Sequence, residues 1–162
     1  MIKENFIKIY EDSFKANWDL PALTDYSKGI SFSFGEVATE IARIHILFEE
    51  CQIRRGDKIA LIGKDNSRWR STYMPAVNYG AVTVPILQDF HPHEAHHTTK
   101  HPEPVSLFTS DRIWDTLEEE KIANIRGVFS LTDFRCLHQR DGESIQKLLK
   151  TLDSKMAHKY PK

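Results

Sequence analysis

The sequence has little that commits it to a membrane, a nucleic acid or a disulfide scaffold. Its purely apolar runs are a few residues long, far short of the roughly 20 that a membrane span needs. The N-terminal stretch MIKENFIKIYEDSF is mixed in charge and lacks an apolar core, so it does not read as a signal peptide. Basic tracts interleaved with aromatics are missing. The 22 Lys and Arg are scattered among 23 Asp and Glu, with a net charge of −1, and nucleic-acid binding has no support. Cysteine is scarce: Cys51 and Cys136 stand apart with no paired motif. That excludes a disulfide framework and predicts two free thiols in a cytoplasmic protein. Repeats, low-complexity segments and internal linkers are also missing.

The common phosphate-binding patterns are missing too. A P-loop needs four residues between its first glycine and Gly-Lys, then Ser or Thr. In GDKIALIGKD, six residues separate Gly56 from Gly63-Lys64, they read as a strand, and Asp65 follows. No Gly-x-Gly-x-x-Gly and no Gly-x-Ser-x-Gly elbow occurs. Arg55-Gly56-Asp57 has the letters of an adhesion tripeptide, but reads as a turn before a buried strand. Glu49-Glu50 and Glu118 to Glu120 read as solvated helix faces.

What is present is a regular alternation. Phe6, Ile9, Tyr10 and Phe14 form a helical stripe within Asn5 to Lys15. ALTDY and ISFSF flank the turn SKG and predict a hairpin. Ser33 and Glu36 have the spacing of a capping box, opening an amphipathic helix from about Phe34 to Cys51 through Val37, Ile41, Ile44 and Phe48. KIALIG lacks alternation and predicts a strand buried on both faces. A helix runs from after Asn66 to Tyr79, where Pro75 predicts a kink or break and Gly80 an end. VTVPIL is strand-like, with Pro85 arguing for an edge or a loop. VSLFTS and GVFSL are further strands, RIWDTLEEEKI a helix between them. Ile145, Leu148, Leu149, Leu152 and Met156 mark a last amphipathic helix. The pattern predicts an α/β fold: a parallel sheet with helices on both faces, preceded by a helix and a β-hairpin.

HPHEAHHTTKH, His91 to His101, holds five of the eight histidines. On a helix His93, His97 and His101 share one face, and three imidazoles at that spacing can chelate a divalent cation. No Cys or well-placed carboxylate completes the shell. The neighbours Pro92, Thr98, Thr99 and Lys100 are those of a polar surface, so adventitious capture of nickel or zinc is the stronger expectation.

In their order and spacing these elements resemble a family. FSFGEVA, Phe32 to Ala38, resembles the first core motif of adenylate-forming (AMP-binding) enzymes. VNYGAVTVPIL, Val77 to Leu87, resembles their second core motif, and RRGDKIALIGKDNSRW, Arg54 to Trp69, the segment between the two. HPEPVSLFTSD is similar to the family's element after the second motif. The likeness runs from about Leu23 to Phe134. Its flavour, in ALIGKDNSRW and VPILQDF, is that of bacterial long-chain fatty-acid–CoA ligases.

The resemblance implies ATP, Mg2+ and coenzyme A as cofactors, and a carboxylic acid converted to acyl-adenylate and then to a thioester. It also implies several missing parts. The Ser/Thr/Gly-rich phosphate loop ending in Pro-Lys, the later Thr-Glu motif, the ribose-binding Asp and the catalytic Lys of a C-terminal domain have no counterpart in the sequence. Gln52 stands where glycine is often found. Residues 1–162 are therefore expected to form a single, incomplete N-terminal subdomain, inactive alone and prone to self-association. Its partner would be the remainder of the same enzyme. No catalytic, cofactor-binding or metal residue is assigned. Two alternatives stay open: a self-contained small α/β binding or signalling module, for which Lys64, Asp65, Asn66 and Ser67 at a strand end form no recognised constellation, and a regulatory domain using the fold without chemistry.

Overall fold

The computed structural model describes residues 6–26, 28–63, 67–86, 104–118 and 125–139. Helix α1 (Phe6–Ala16) leads into strands β1 (Pro21–Asp25) and β2 (Ile30–Ser33), an antiparallel hairpin turned by Gly29 at φ +65°. Phe14 of the α1 stripe is buried and meets Phe34 edge-on at 5.2 Å. Ile9, placed on the same stripe by periodicity, is instead 53% exposed.

Helix α2 (Phe34–Glu50) starts at the predicted capping box. Ser33 Oγ accepts from the Glu36 N–H at 3.2 Å, and the Glu36 carboxylate accepts from the Ser33 N–H at 2.7 Å. Its far end closes with the chain at Gln52 in the left-handed region, φ +53°. Strand β3 (Lys58–Ile62), helix α3 (Ser67–Tyr79) and strand β4 (Val82–Ile86) come next, then β5 (Ser106–Thr109), the short helix α4 (Asp111–Trp114), β6 (Gly127–Ser130) and β7 (Cys136–Gln139).

Five strands form one sheet in the order β4-β3-β5-β6-β7, parallel except for β7, which runs antiparallel to β6. Alternate residues of β3, β5 and β6 serve opposite faces, and both faces are covered. Ile59, Leu61, Phe108 and Phe129 meet Ile44, Leu47 and Phe48 of α2 and Ala76 of α3. Ala60, Ile62, Leu107 and Val128 face the other way, with Ile86, Ile125 and the part-buried Ile113, Trp114 and Leu117. The predicted α/β architecture is therefore the observed one, and β4 is an edge, as Pro85 requires.

Three expectations are corrected. Pro75 does not break α3, which continues to Tyr79. Pro75 and Ala76 are buried in this helix, which packs on α2, and His45 of α2 hydrogen-bonds the Pro75 carbonyl at 3.0 Å, so burial and packing on α2 hold the helix through a residue that lacks an amide. Of the helix read into RIWDTLEEEKI, the described residues are helical over Asp111–Trp114 and leave the helix over residues 115–118, where Thr116 Oγ1 donates to the Ile113 carbonyl at 2.7 Å; residues 119–122 lie outside the described residues. Strand β7 adds an antiparallel edge to a sheet expected to be parallel. The terminal amphipathic helix expected at Ile145 to Met156 lies outside the described residues.

Candidate functional site

Open α/β sheets take ligands outside the carboxyl ends of their strands, where the strand order reverses. Here β3 is flanked on one side by β4, and the chain then crosses back to place β5 on the other side of β3. The switch point lies between the carboxyl ends of β3 and β5, at Gly63 and Ser110.

Residues 64–66 and 87–103, which follow β3 and β4 there, lie outside the described residues, and among the described ones Leu131 stands nearest Gly63. A Cβ on Gly63 would stand 2.6 Å from Leu131 Cδ1 and 3.9 Å from Trp69 Cδ1. Leu131, directly after β6, is buried, and its N–H donates to the Thr109 carbonyl at 2.8 Å. The Ser130 hydroxyl nearby is in use. Ser130 Oγ donates to Asp111 Oδ1 at 2.6 Å and accepts from the Thr132 N–H at 3.0 Å. Arg135 Nη2 donates to Asp111 Oδ2 at 2.6 Å, and Ser130 and Arg135 together hold the Asp111 carboxyl below its ordinary value. This is an internally satisfied polar cluster.

The Arg55-Gly56-Asp57 turn is structural, as expected. Gly56 sits at φ +87° and its N–H donates to the Gly80 carbonyl at 2.8 Å. Asp57 Oδ2 accepts from the Arg54 N–H at 2.9 Å and lies 3.6 Å from Arg126 Nη1. Lys64, Asp65 and Asn66, the Ser67 side chain, His91 to His101 and Glu119-Glu120 lie outside the described residues. Among the described residues no group of three or more His, Cys, Asp or Glu can hold a metal ion.

A shallow groove of about 400 Å³ runs beside the start of α2, lined by Trp18, Phe32, Ser33, Gly35, Glu36, Thr39, Glu40 and Arg43. The Trp18 indole forms one wall. A Cβ on Gly35 would stand 2.6 Å from two of its ring atoms. Glu36 is committed to the capping box, Thr39 Oγ1 donates to the Gly35 carbonyl at 2.9 Å, and Arg43 pairs with Glu40 at 2.8 Å. These groups hold the helix; they do not converge on a reacting atom.

Comparison with known proteins shows which family and fold this sheet belongs to. The coronafacic acid ligase of Pectobacterium brasiliense superposes with a TM-score of 0.72 at 16% identity over 78% of this chain and 25% of its own. A benzoate CoA ligase from Burkholderia xenovorans LB400 gives 0.70 at 15% identity over 90% of this chain and 28% of its own. The NpsA N-terminal subdomain of Klebsiella oxytoca gives 0.66 at 16% identity over 85% and 34%. At these identities the likeness is one of fold, and the chain spans about a quarter to a third of each relative's length. No curated protein matches. The family is shown by sequence: the AMP-binding enzyme model matches residues 10–159. The chain belongs to the AMP-binding enzyme family and has the fold of the N-terminal region of adenylate-forming ligases.

Proposed function

We propose that the chain is the N-terminal structural portion of an ATP-dependent ligase that makes an acyl-adenylate and passes the acyl group to coenzyme A. The family match over residues 10–159 carries this reading. Residues 1–162 are taken as one incomplete subdomain, because the aligned part covers only 25%, 28% and 34% of the solved relatives of the same fold. In the complete enzyme a carboxylate oxygen attacks the α-phosphorus of ATP and pyrophosphate leaves. The coenzyme A sulfur then attacks the acyl carbonyl and AMP leaves. Charge develops at phosphorus in the first step and needs donors around the triphosphate and a magnesium ion between phosphates. We place those groups outside this chain.

Among substrates we favour a long-chain fatty acid. The support is the likeness of ALIGKDNSRW and VPILQDF to bacterial fatty-acid ligases. The solved relatives include a ligase for benzoate, so an aryl acid is the competing substrate. No helix among the described residues is long and apolar enough to cross a membrane, and we assign the enzyme to the cytoplasm.

The test compares residues 1–162 with the longer polypeptide encoded by the same reading frame. Pyrophosphate release is followed with palmitate and with benzoate, and ATP binding by calorimetry. We expect the longer form to turn over palmitate in preference to benzoate and residues 1–162 to do neither. Turnover by residues 1–162 alone would overturn the scaffold reading. A longer form active only on benzoate would overturn the fatty-acid assignment, and a frame that ends without a Pro-Lys phosphate loop would overturn the ligase.

A further inference from the structure

The groove beside the start of α2 has a lining chemistry that the family assignment leaves without a role. Its shape follows from the way the chain enters the helix. After α1, Asn17 Nδ2 donates to the Ser13 carbonyl at 2.8 Å, and the Trp18 and Leu20 carbonyls accept from the Gly35 and Phe34 N–H groups at 2.8 and 3.0 Å. These bonds pin the loop against the helix start. Gly35 has no Cβ, and the indole of Trp18 lies where a methyl there would collide with it. Trp18 still stays half open to solvent, and Phe32 of β2 adds a second aromatic ring to the lining.

A helix N-terminus ordinarily suits an anion, because its first amides lack partners. Here they have them: Phe34 and Gly35 donate to the loop, and the Glu36 N–H donates to Ser33 Oγ at 3.2 Å. The groove offers acceptors instead. Thr39 Oγ1 spends its proton on the Gly35 carbonyl, and two carboxylates, Glu36 and Glu40, stand one turn apart. Arg43 supplies the positive charge of the lining and sits at the Glu40 end, Nη1 2.8 Å from Glu40 Oε1. The Glu36 end, beside Trp18, lies about two turns from Arg43.

A carboxylate next to an aromatic ring attracts an organic cation, since the charge and the ring quadrupole act on it together. Glu36 Oε2 already accepts from the Ser33 N–H at 2.7 Å. A guanidinium fork needs both oxygens of a carboxylate, whereas an ammonium is a compact point charge that one oxygen can hold. The four-carbon stem of a lysine also packs well along an apolar surface while its charge reaches a polar one. The groove volume of about 400 Å³ is within the range of ligand pockets and leaves room for flanking backbone.

We propose that this groove binds a lysine side chain presented by another polypeptide, with the stem along Trp18 and the ammonium on Glu36. The site stands apart from the strand ends and does not depend on the ligase reading.

Titration of the 162-residue chain with butylammonium, followed by NMR of its three tryptophan indole N–H groups, tests this. The Trp18 signal should move saturably while those of Trp69 and Trp114 stay, and 1-butanol should bind about fivefold more weakly or worse. Glu36→Gln keeps an acceptor for the cap and should weaken butylammonium about threefold or more, as should Trp18→Leu read at the Glu36 amide. The peptide acetyl-Ala-Lys-Ala-amide should bind at least as tightly as butylammonium, and its norleucine counterpart about fivefold more weakly. Equal binding of 1-butanol would overturn the cation, and movement of all three indoles in step would overturn the groove as its site. Unchanged affinity in both variants would overturn the placement at Glu36 and Trp18. A lysine peptide weaker than butylammonium would overturn the polypeptide as the source.

Discussion

The N–H of Ile53 reaches back to the carbonyl of Phe48 at 2.9 Å, and the two side chains pack in the same buried cluster. With the Gln52 N–H on the Glu49 carbonyl, also at 2.9 Å, this is a Schellman closure of α2. Such a closure places its linking residue in the left-handed region, and that residue is Gln52 at φ +53°. Glycine has no Cβ to penalise there.

Gln52→Gly should therefore stabilise the chain. Relief of the left-handed penalty is worth about 1 to 2 kcal/mol, and the greater freedom of glycine in the unfolded chain returns roughly half of it. The expected net gain is about 0.5 to 1 kcal/mol. A denaturant titration reads it as a higher midpoint at unchanged slope. A lower midpoint would mean that contacts of the Gln52 side chain outweigh the strain.

At the other end of α2, Ser33→Ala removes the acceptor for the Glu36 N–H and should cost about 1 kcal/mol. Glu36→Gln keeps an acceptor within reach of the Ser33 N–H and should cost less. Equal losses from the two would show that the Glu36 charge, acting on the helix dipole, matters more than the box.

The contrast between these ends explains which parts of the fold are legible in the sequence. Ser33 and Glu36 are local partners three residues apart, and their meaning is readable without knowing the fold. KIALI and GVFS are readable because strands buried on both faces need unbroken apolar runs. Pro85 marks an edge because its missing amide has nowhere else to be harmless. The helix span around Pro75 is legible, ending at Tyr79 as read, but that the helix is unbroken there is not, because packing on α2, distant in the chain, decides it. Cys-Leu-His-Gln carries no strand signal because β7 is only part buried and has no clean alternation. The switch point is legible as a place, through Gly63, but its neighbour Leu131 is not. Leu131 arrives from the far side of two further strands. No local pattern encodes that.

Gly35→Ala sets two effects against each other. Alanine favours a helix over glycine by about 1 kcal/mol, while the new methyl would meet the Trp18 ring at 2.6 Å. Trp18 is 50% exposed and has room to swing outward. The stability change should stay within about 1 kcal/mol, the size of one overpacked methylene, while tryptophan emission shifts to the red as the indole leaves the helix. A loss well beyond that with no spectral shift would mean that Trp18 is pinned and the helix start deforms instead.

The two thiols should differ sharply in reactivity. Burial pushes the Cys51 thiol up to about 12, with the neighbouring Cys136 and Glu50 charges adding to the effect and Arg126 opposing it. Cys136 is raised by burial as well, but keeps partial exposure. Reaction requires the thiolate. At pH 8 an ordinary thiol near 8.5 is about one-quarter ionised, whereas a thiol near 12 is ionised roughly one part in ten thousand. Alkylation of native protein should therefore mark Cys136 first and leave Cys51 slower than in the unfolded chain by about a hundredfold or more. A thiol whose folded value is raised holds its proton more tightly when folded. Its stabilising contribution is complete below the ordinary thiol range and is lost as pH climbs toward 12. Added denaturant should speed Cys51 labelling in proportion to the unfolded population, and mass spectrometry of the alkylated peptides reads both rates. Labelling of Cys51 in native protein at the rate of a free peptide thiol would show that the end of α2 opens readily and that the Phe48–Ile53 closure is weaker than its geometry implies.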